Sequence, residues 1–237
     1  MKQQLNFKLK ILYVGVGPAR CMTSWFTNQI HLNSTIYVPG RKEVNLLHKD
    51  KLDINHYYNI VSNNNKETEA IDYSNNYTLC IKKVQKNCQL LADNYNLKIK
   101  YVFFYRDPIL RLQSHLNLLN NRGVTIKHDY ENDEHLSSAS LQSFYYRNIE
   151  NTYYKNFLFI NVDEINIKYS NNIDKINNFL NKKNLKFDIN MRVGRVGKPR
   201  FLFIEKLRQL VFEFCIKNDL DFFIKLVKYL RLNIILK

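Results

Sequence analysis

The stretch KILYVGVGPARCMTSWFTNQIHL, residues 10–32, decides the fold of this chain. Its apolar run at 11–14 stops at Gly-Val-Gly-Pro, which is the pattern of a buried strand that enters a tight loop. The loop at 15–22 leads into a helix that is expected to open at Thr23, with Thr23 and Ser24 as candidate capping residues. Backbone N–H groups and the positive end of the helix dipole then face the loop, so the sequence predicts an anion site there.

Arg20 strengthens this prediction, because its forked guanidinium suits phosphate or sulfate. The loop is not a Walker loop, since no Gly-Lys-Ser/Thr follows at the required spacing, and it lacks the third glycine of a dinucleotide fingerprint. For this stretch alone, a simple tight turn without a ligand is the alternative.

Length and composition favour one folded domain. The 237 residues are 45% hydrophobic and 14% aromatic, which argues against disorder and provides for a full core. We expect a single domain over 1–237, with a core at about 8–200 and a helical extension at 201–237. The two amphipathic helices of that extension are expected to pack on the core or on a partner, and contact with a membrane surface remains open.

Charge and cysteine usage narrow the partners and the compartment. The formal net charge of +15 implies anionic partners such as nucleotide phosphates, acidic or sulfated sugars, nucleic acid or a membrane surface. The four cysteines form no C-x-x-C pair and show no metal spacing, which is typical of a reduced, cytoplasmic chain. We expect neither a signal peptide nor a membrane span, because no apolar run is long enough.

The remaining elements follow from their apolar patterns. Further strands are predicted at 34–39, 99–105 and 157–162. Helices are predicted at 77–94, from 108 onward, at 141–154 and at 173–180, and residues 51–76 are expected to form a polar loop with one short helix. Strands that alternate with helices predict an α/β, P-loop-like, three-layer fold in which a central parallel sheet is flanked by helices.

A second candidate anion site follows the strand predicted at 99–105. The tripeptide Arg-Asp-Pro at 106–108 begins the next helix, with proline in its first turn. Arg106 therefore lies at a carboxyl strand end, Ser114 lies about two turns into the helix, and Arg111 is expected to point elsewhere. Arginine and hydroxyl can bind one anion from two sides. The alternative is that Arg106 pairs with a carboxylate within the fold.

Glu43 is the candidate carboxylate of the site. It stands among the basic residues Arg41, Lys42 and Lys49, just after the strand predicted at 34–39, where ligands of α/β proteins bind. A solvated charge at a helix start is the alternative for this residue.

Two later segments are interpreted as loops with a function. Residues 120–137 form an insertion or lid whose histidines and carboxylates match no standard metal spacing. The glycine-rich stretch at 191–200 either closes over a bound polyanion or is a basic linker; its basic residues include Arg195, Lys198 and Arg200.

Two motifs together resemble the nucleotide-binding elements of sulfotransferases that use 3′-phosphoadenosine 5′-phosphosulfate (PAPS). The family's loop motif K/R-x-G-T-T/S-x-L corresponds here to Arg20, Cys21, Met22, Thr23, Ser24, Trp25 and Phe26. The family's second motif, R-D-P-x-x-R-x-x-S, is complete, with Arg106, Asp107, Pro108, Arg111 and Ser114. The second motif is the more specific, because both spacings and the preceding apolar strand agree.

Weaker similarities follow the order of the family. Residues 42–45 resemble the K-E-x-H-F-F segment of carbohydrate sulfotransferases, whose glutamate can act as base. Residues 72–77 are similar to their E-K-S/T-P-x-Y segment. The chain departs from the family in the nucleotide-binding segments, with Arg20 for lysine, Met22 for glycine, Tyr73 for lysine and Asn75 for proline, and near the acceptor, where Asn45 and His48 replace common residues.

The resemblance implies a sulfotransferase that needs no metal. Arg20 and the amides of 22–25 would hold the 5′-phosphosulfate and stabilise the departing oxygen, while Arg106 and Ser114 would bind the 3′-phosphate of PAPS and of its product PAP. Glu43 would take the proton of a sugar or oligosaccharide acceptor, and the basic loop with Arg195, Lys198 and Arg200 would cover the nucleotide. Two alternatives remain: a catalytically lapsed nucleotide-binding protein, and a nucleic-acid binder, against which the scattered basic residues argue.

Overall fold

A computed structural model of the chain describes residues 8–40, 42–121, 156–165, 169–183 and 185–190. The described residues up to 115 and from 156 onward belong to one compact unit, and residues 116–121 represent a second unit. Several predictions lie outside the described residues: the helix at 141–154, nearly all of the insertion at 120–137, the basic loop and the C-terminal helices. The expected domain boundaries stay a prediction.

A four-stranded parallel sheet forms the centre of the first unit. Its strands are β1 (Ile11–Gly15), β2 (Glu69–Tyr73), β3 (Lys98–Tyr105) and β4 (Phe157–Asn161). Their order is β2-β1-β3-β4, and every pairing is parallel. Because β1 lies between β2 and β3, the loop that follows it emerges beside the carboxyl ends of both neighbours. This confirms the predicted α/β fold class.

Helices cover both faces of this sheet. Within the described ranges they are α1 (Thr23–Asn33), α2 (Ile54–Val61), α3 (Ile81–Tyr95), α4 (Pro108–Asn121) and α5 (Tyr169–Leu180). Successive strand residues point to opposite faces. On β1, Leu12 and Val14 pack in one buried cluster with α2 and α3, while Tyr13 lies in a second cluster with α1 and α5. The sheet is therefore buried on both sides, as parallel sheets require.

The prediction of a strand at 34–39 is wrong. Only Tyr37 pairs with the sheet, through a parallel bridge to Ala70. Its N–H donates to the Glu69 carbonyl and its carbonyl accepts from the Ile71 N–H, both at 2.9 Å. The segment cannot extend this ladder, because Pro39 has no backbone donor.

The polar loop predicted at 51–76 is wrong in part. Its one short helix exists as α2, but its end forms the edge strand β2. The strand was not predicted because two of its five residues, Glu69 and Asp72, are acidic and interrupt the apolar pattern. Asp72 is fully buried all the same, since neighbouring hydroxyl and N–H groups satisfy its carboxylate.

Helix boundaries differ modestly from the predictions. A 3₁₀ helix (Asn75–Cys80) precedes α3, so the helix predicted from residue 77 begins later. The helix predicted from 173 begins at Tyr169. The strands predicted at 99–105 and 157–162 are confirmed to within a residue at each end.

Candidate active site

The anion loop, residues 15–22, is shaped by a tyrosine that lies against it. A Cβ atom on Gly15 would lie 2.1 Å from Cγ of Tyr73, and one on Gly17 would lie 2.5 Å from the Tyr73 hydroxyl. The Phe104 N–H donates to the same hydroxyl at 3.3 Å. Both glycines are therefore required for space, because the buried Tyr73 ring at the end of β2 occupies the room a side chain would need.

Left-handed backbone in the anion loop falls on residues that are not glycine. Arg20 has φ 71° and Met22 has φ 53°. Met22 is the N-cap of α1 and makes no side-chain capping bond, so the predicted capping by Thr23 and Ser24 is wrong. The Phe26 N–H donates to the Met22 carbonyl at 3.0 Å, and the amides of residues 23–25 precede this start of the helical ladder, as in other helix-terminal anion sites.

The two motifs meet through one side-chain hydrogen bond. Nε of Arg20 donates to the Ser114 hydroxyl at 3.1 Å. Arg20 follows β1 and Ser114 belongs to α4, which follows the neighbouring strand β3. The predicted pair of anion motifs at adjacent strand ends is thus brought together.

Three guanidinium groups act electrostatically on Cys21 in this loop. Burial raises the pKa of the Cys21 thiol to about 12, although the charges of Arg111, Arg106 and Arg20 lower it. The side chains of Cys21 and Trp25 are buried, and the Trp25 indole donates to the Asp188 carbonyl at 2.8 Å. Cys21 and Trp25 are among the predicted ligand contacts of this loop. Because their side chains are buried, they would contact a ligand through their backbone amides.

Arg106 forms the ion pair that the sequence left open as its alternative. Its Nη2 lies 3.2 Å from Oδ1 of Asp163, and both side chains remain partly exposed. The other carboxylate oxygen of Asp163 accepts from the Asp107 N–H at 2.7 Å. Asp163 therefore fixes the position of Arg106 at the tip of β3.

Arg111 does not point away from the site as predicted. Its side chain is fully buried, and Nη1 donates to the carbonyl of Ala19 in the anion loop at 3.4 Å. Asp107 caps α4, since its Oδ1 accepts from the N–H groups of Ile109 and Leu110 at 2.9 Å each. Two residues of the second motif thus have structural roles: Arg111 holds the anion loop, and Asp107 caps α4.

Lys42 is a site residue that the sequence reasoning missed. Its Nζ donates to the Thr23 hydroxyl at 2.8 Å and to the Ser24 hydroxyl at 3.1 Å, both in the first turn of α1. The same Nζ lies 3.6 Å from Oε1 of Glu43. Burial lowers the pKa of Lys42, and Glu43 opposes this shift. The available signal was its position directly before Glu43 in the chain.

Glu43 lies beside the start of α1, although no strand precedes it. The Asn75 amide donates to Oε1 of Glu43, and the Asn45 amide donates to Oε2 at 3.4 Å. The Asn75 carbonyl oxygen accepts from the Thr23 hydroxyl at 3.2 Å. These contacts form a closed polar ring of Lys42, Thr23, Asn75 and Glu43. Asn75 supplies both an amide donor and a carbonyl acceptor to the ring, which the proline of the similar family segment could not.

A buried carboxylate holds the segment that carries Lys42 and Glu43. Oδ1 of Asp72 accepts from the Ser74 hydroxyl at 2.8 Å and from the Val44 N–H at 3.2 Å. The hydroxyls of Tyr57 and Tyr77 donate to its Oδ2 at 2.9 and 2.7 Å. The backbone of 45–47 is held by the same groups, because the Asn45 N–H donates to Ser74 and those of Leu46 and Leu47 donate to Tyr77. In the sequence, the one indication of this network was an acidic residue, Asp72, within the apolar stretch that forms β2.

The predicted contacts of Arg195, Lys198 and Arg200 lie outside the described residues. Over the described ranges, no group of three or more histidine, cysteine or acidic residues is arranged to hold a metal ion.

None of the helices in the described part of the chain is both long enough and apolar enough to cross a membrane.

No protein-family model matches the chain, and no curated protein matches it. Solved structures do. The sulfotransferase domain of the Synechococcus PCC 7002 olefin synthase matches with a TM-score of 0.55 and 16% identity, over 84% of this chain and 85% of that domain. A sulfotransferase from Alicyclobacillus acidocaldarius matches with a TM-score of 0.57 and 16% identity, over 90% of this chain and 95% of that one.

The sulfotransferase domain of the curacin biosynthetic pathway matches with a TM-score of 0.53 and 15% identity, over 74% of this chain and 75% of that domain. At such identities the likeness concerns the fold. It agrees with the resemblance found in the sequence, and the chain accordingly has the sulfotransferase fold.

Proposed function

We propose that this protein transfers a sulfuryl group from PAPS to a hydroxyl or amine of a carbohydrate-like acceptor. The observation that carries the proposal is the hydrogen bond between Arg20 and Ser114, which joins the anion loop to the second motif at neighbouring strand ends. PAPS carries anionic groups at both ends of one adenosine. Two basic sites that share an edge of the sheet suit such a ligand.

The residues divide between the two ends of the nucleotide. The amides at the start of α1 would receive the 5′-phosphosulfate, where the helix dipole favours negative charge. Arg106 and Ser114 would receive the 3′-phosphate, and Arg20, which follows the anion loop's strand and donates to Ser114, would lie between the two groups. Sulfuryl transfer, like phosphoryl transfer, depends mainly on in-line placement and charge neutralisation, and this donor set supplies both.

Glu43 would act as the general base. Its carboxylate is oriented by two neutral amides, those of Asn75 and Asn45, which fix its direction without removing its charge. It would take the proton of the acceptor hydroxyl while that oxygen forms its bond to sulfur.

Binding of PAP tests the nucleotide site. Calorimetry should show that PAP binds more tightly than AMP, which lacks the 3′-phosphate, and that Arg106→Ala weakens PAP by roughly 10- to 100-fold through loss of a charged hydrogen bond. Asp163→Asn is the matched control, because it removes the ion pair but keeps Arg106 and an acceptor for the Asp107 N–H; its loss of PAP affinity should be smaller than that of Arg106→Ala. Equal binding of PAP to wild type and Arg106→Ala, or no binding at all, contradicts the assignment.

Transfer of radiolabelled sulfur from PAPS tests the chemistry. The acceptor pool should contain oligosaccharides together with non-sugar hydroxyl compounds, because two of the similar folds come from an olefin synthase and the curacin pathway. Glu43→Gln should abolish transfer and leave PAP affinity unchanged. Binding of PAP without transfer to any acceptor favours the catalytically lapsed alternative, which the absence of the family lysine from the loop motif also favours.

We also propose that the protein works in the cytoplasm. The described cysteines Cys21, Cys80 and Cys88 are free thiols, which is typical of a reducing compartment.

A further inference from the structure

The lysine at the start of α1 occupies an electrostatically unfavourable position. The amino end of a helix carries partial positive charge and favours anions, yet the Lys42 ammonium donates to the Thr23 and Ser24 hydroxyls in this first turn. Its side chain is only 23% exposed. Glu43 balances part of this charge at 3.6 Å, and the ammonium together with the helix end makes this point attractive to a further anion.

The surroundings keep that ammonium in place. Lys42 Nζ lies 5.8 Å from the centre of the Tyr73 ring, within the range of a cation–π contact, and 3.6 Å from Glu43. The backbone that follows it is fixed by the Asp72 network through the Val44 N–H. The ammonium is therefore prepositioned, which is the condition under which an electrostatic group lowers a barrier.

Arg20 is oriented by a contact with α4. Its Nε donates to Ser114 on α4, so the residue that aligns with the family lysine is engaged with the second motif. Lys42 instead directs its donors at the first turn of α1. The two cations thus contact different helices, Arg20 the helix α4 and Lys42 the helix α1.

We propose that Lys42 is the catalytic cation that donates a hydrogen bond to the oxygen bridging phosphorus and sulfur in PAPS. This inference rests on the proposed function. In the step, the bond from sulfur to the acceptor oxygen forms as the bond from sulfur to the bridging oxygen breaks. The electron pair stays on the phosphate oxygen, where Lys42 meets the growing charge, and the acceptor proton moves to Glu43. Thr23 and Ser24 are positioning residues for the ammonium.

Steady-state kinetics with Lys42→Met provide the first test. The bridging oxygen carries little charge in bound PAPS and much more in the transition state, so kcat should fall by roughly 10²- to 10³-fold, as for loss of one preorganised donor, while KM for PAPS changes little. Lys42→Arg should recover part of kcat. The exposed Lys49→Met removes an equal charge nearby and should leave both constants unchanged. Wild-type kcat in Lys42→Met overturns the inference, and so does an equal loss in Lys49→Met.

The pH dependence of kcat provides a readout that a structural role would not move. Burial lowers the pKa of Lys42 from the ordinary lysine value of 10.5. As the pH is raised, wild-type kcat should therefore fall with a midpoint below pH 10.5. The groups facing the ammonium are the Glu43 carboxylate, the Tyr73 ring, whose phenol has its pKa raised by burial, and Thr23, Ser24 and Asn75, which do not titrate. The decline should vanish in Lys42→Arg, whose guanidinium stays charged.

Persistence of the same alkaline decline in Lys42→Arg overturns the inference. If wild type neither binds PAP nor transfers sulfur, the proposed function itself fails. An active wild type with an equally active Lys42→Met variant refutes the role of Lys42 alone, so the two failures are distinguishable.

Discussion

Gly15 and Gly17 show how a residue can be predicted correctly for the wrong reason. Glycines after a buried strand indicated a tight turn, and the loop is there. Glycine is required at these positions, however, because the Tyr73 ring occupies the space of a side chain. The left-handed backbone conformations fall on Arg20 and Met22 instead. A single sequence shows where glycines stand, but not which distant side chain fills the room beside them.

Replacement of Gly15 by alanine should strongly destabilise the protein. The new Cβ would overlap the buried Tyr73 ring, and overpacking of this kind costs about 1–3 kcal/mol or more. Gly40→Ala is the matched control, because a Cβ there meets nothing within 4 Å; it should be neutral or stabilise by about 0.4–1 kcal/mol through the unfolded chain. Urea unfolding of both variants measures the difference, and equal stabilities would mean that the ring does not lie against the loop.

Among elements, the irregular segment at 42–47 depends for its conformation on β2 and on the 3₁₀ helix that follows it. It has no ladder of its own, and its N–H groups are satisfied by Asp72, Ser74 and Tyr77. The sequence identified Glu43 as a candidate because of its charge. It could not identify Lys42 or Asn75 as neighbours of Thr23, because their contacts span 19 and 52 residues.

The stability conferred by Asp72 should depend on pH. Burial raises the pKa of Asp72 above its ordinary 3.8, against the hydrogen bonds from Tyr77, Ser74 and Tyr57, which lower it. A carboxyl that holds its proton more tightly in the folded state contributes stability that is fully present below pH 3.8 and is lost as the pH rises through the folded pKa.

Asp72→Asn does not titrate and therefore serves as the reference. The unfolding free energy of wild type minus that of Asp72→Asn should decrease as the pH rises above about 4, the ordinary range for aspartate, and then level off. Urea unfolding at a series of pH values measures both. A difference that stays constant with pH, or that increases, would contradict the raised pKa.

At the scale of the whole molecule, the parallel sheet was predictable because β1, β3 and β4 are apolar runs that alternate with helices along the chain. The loops that follow β1 and β3 carry the two anion motifs, and these two strands are neighbours in the sheet. The edge strand β2 was missed, since its acidic residues are satisfied by contacts that no local pattern reveals. Residues 34–39 had the composition of a strand and yet contribute one bridge, because edge position and Pro39 decide pairing more than propensity does.

Nucleotide binding should stabilise the folded protein. PAP at about 100 times its dissociation constant should raise the free energy of unfolding by about 2.7 kcal/mol, and the same concentration of AMP should raise it less. The increment should shrink as salt is added, because a chain of net charge +15 attracts the nucleotide electrostatically. Thermal unfolding with each ligand measures both effects. Equal stabilisation by PAP and AMP would remove the argument for a 3′-phosphate site.

The bridge at Tyr37 has a consequence for how the protein behaves at high concentration. An open sheet edge presents main-chain donors and acceptors to any other chain and so templates self-association. On the outer side of β2, Tyr37 already engages the Glu69 carbonyl and the Ile71 N–H. A neighbouring molecule that would lengthen the sheet at this rim must first displace residues 36–38, and that competition protects the protein against edge-to-edge aggregation.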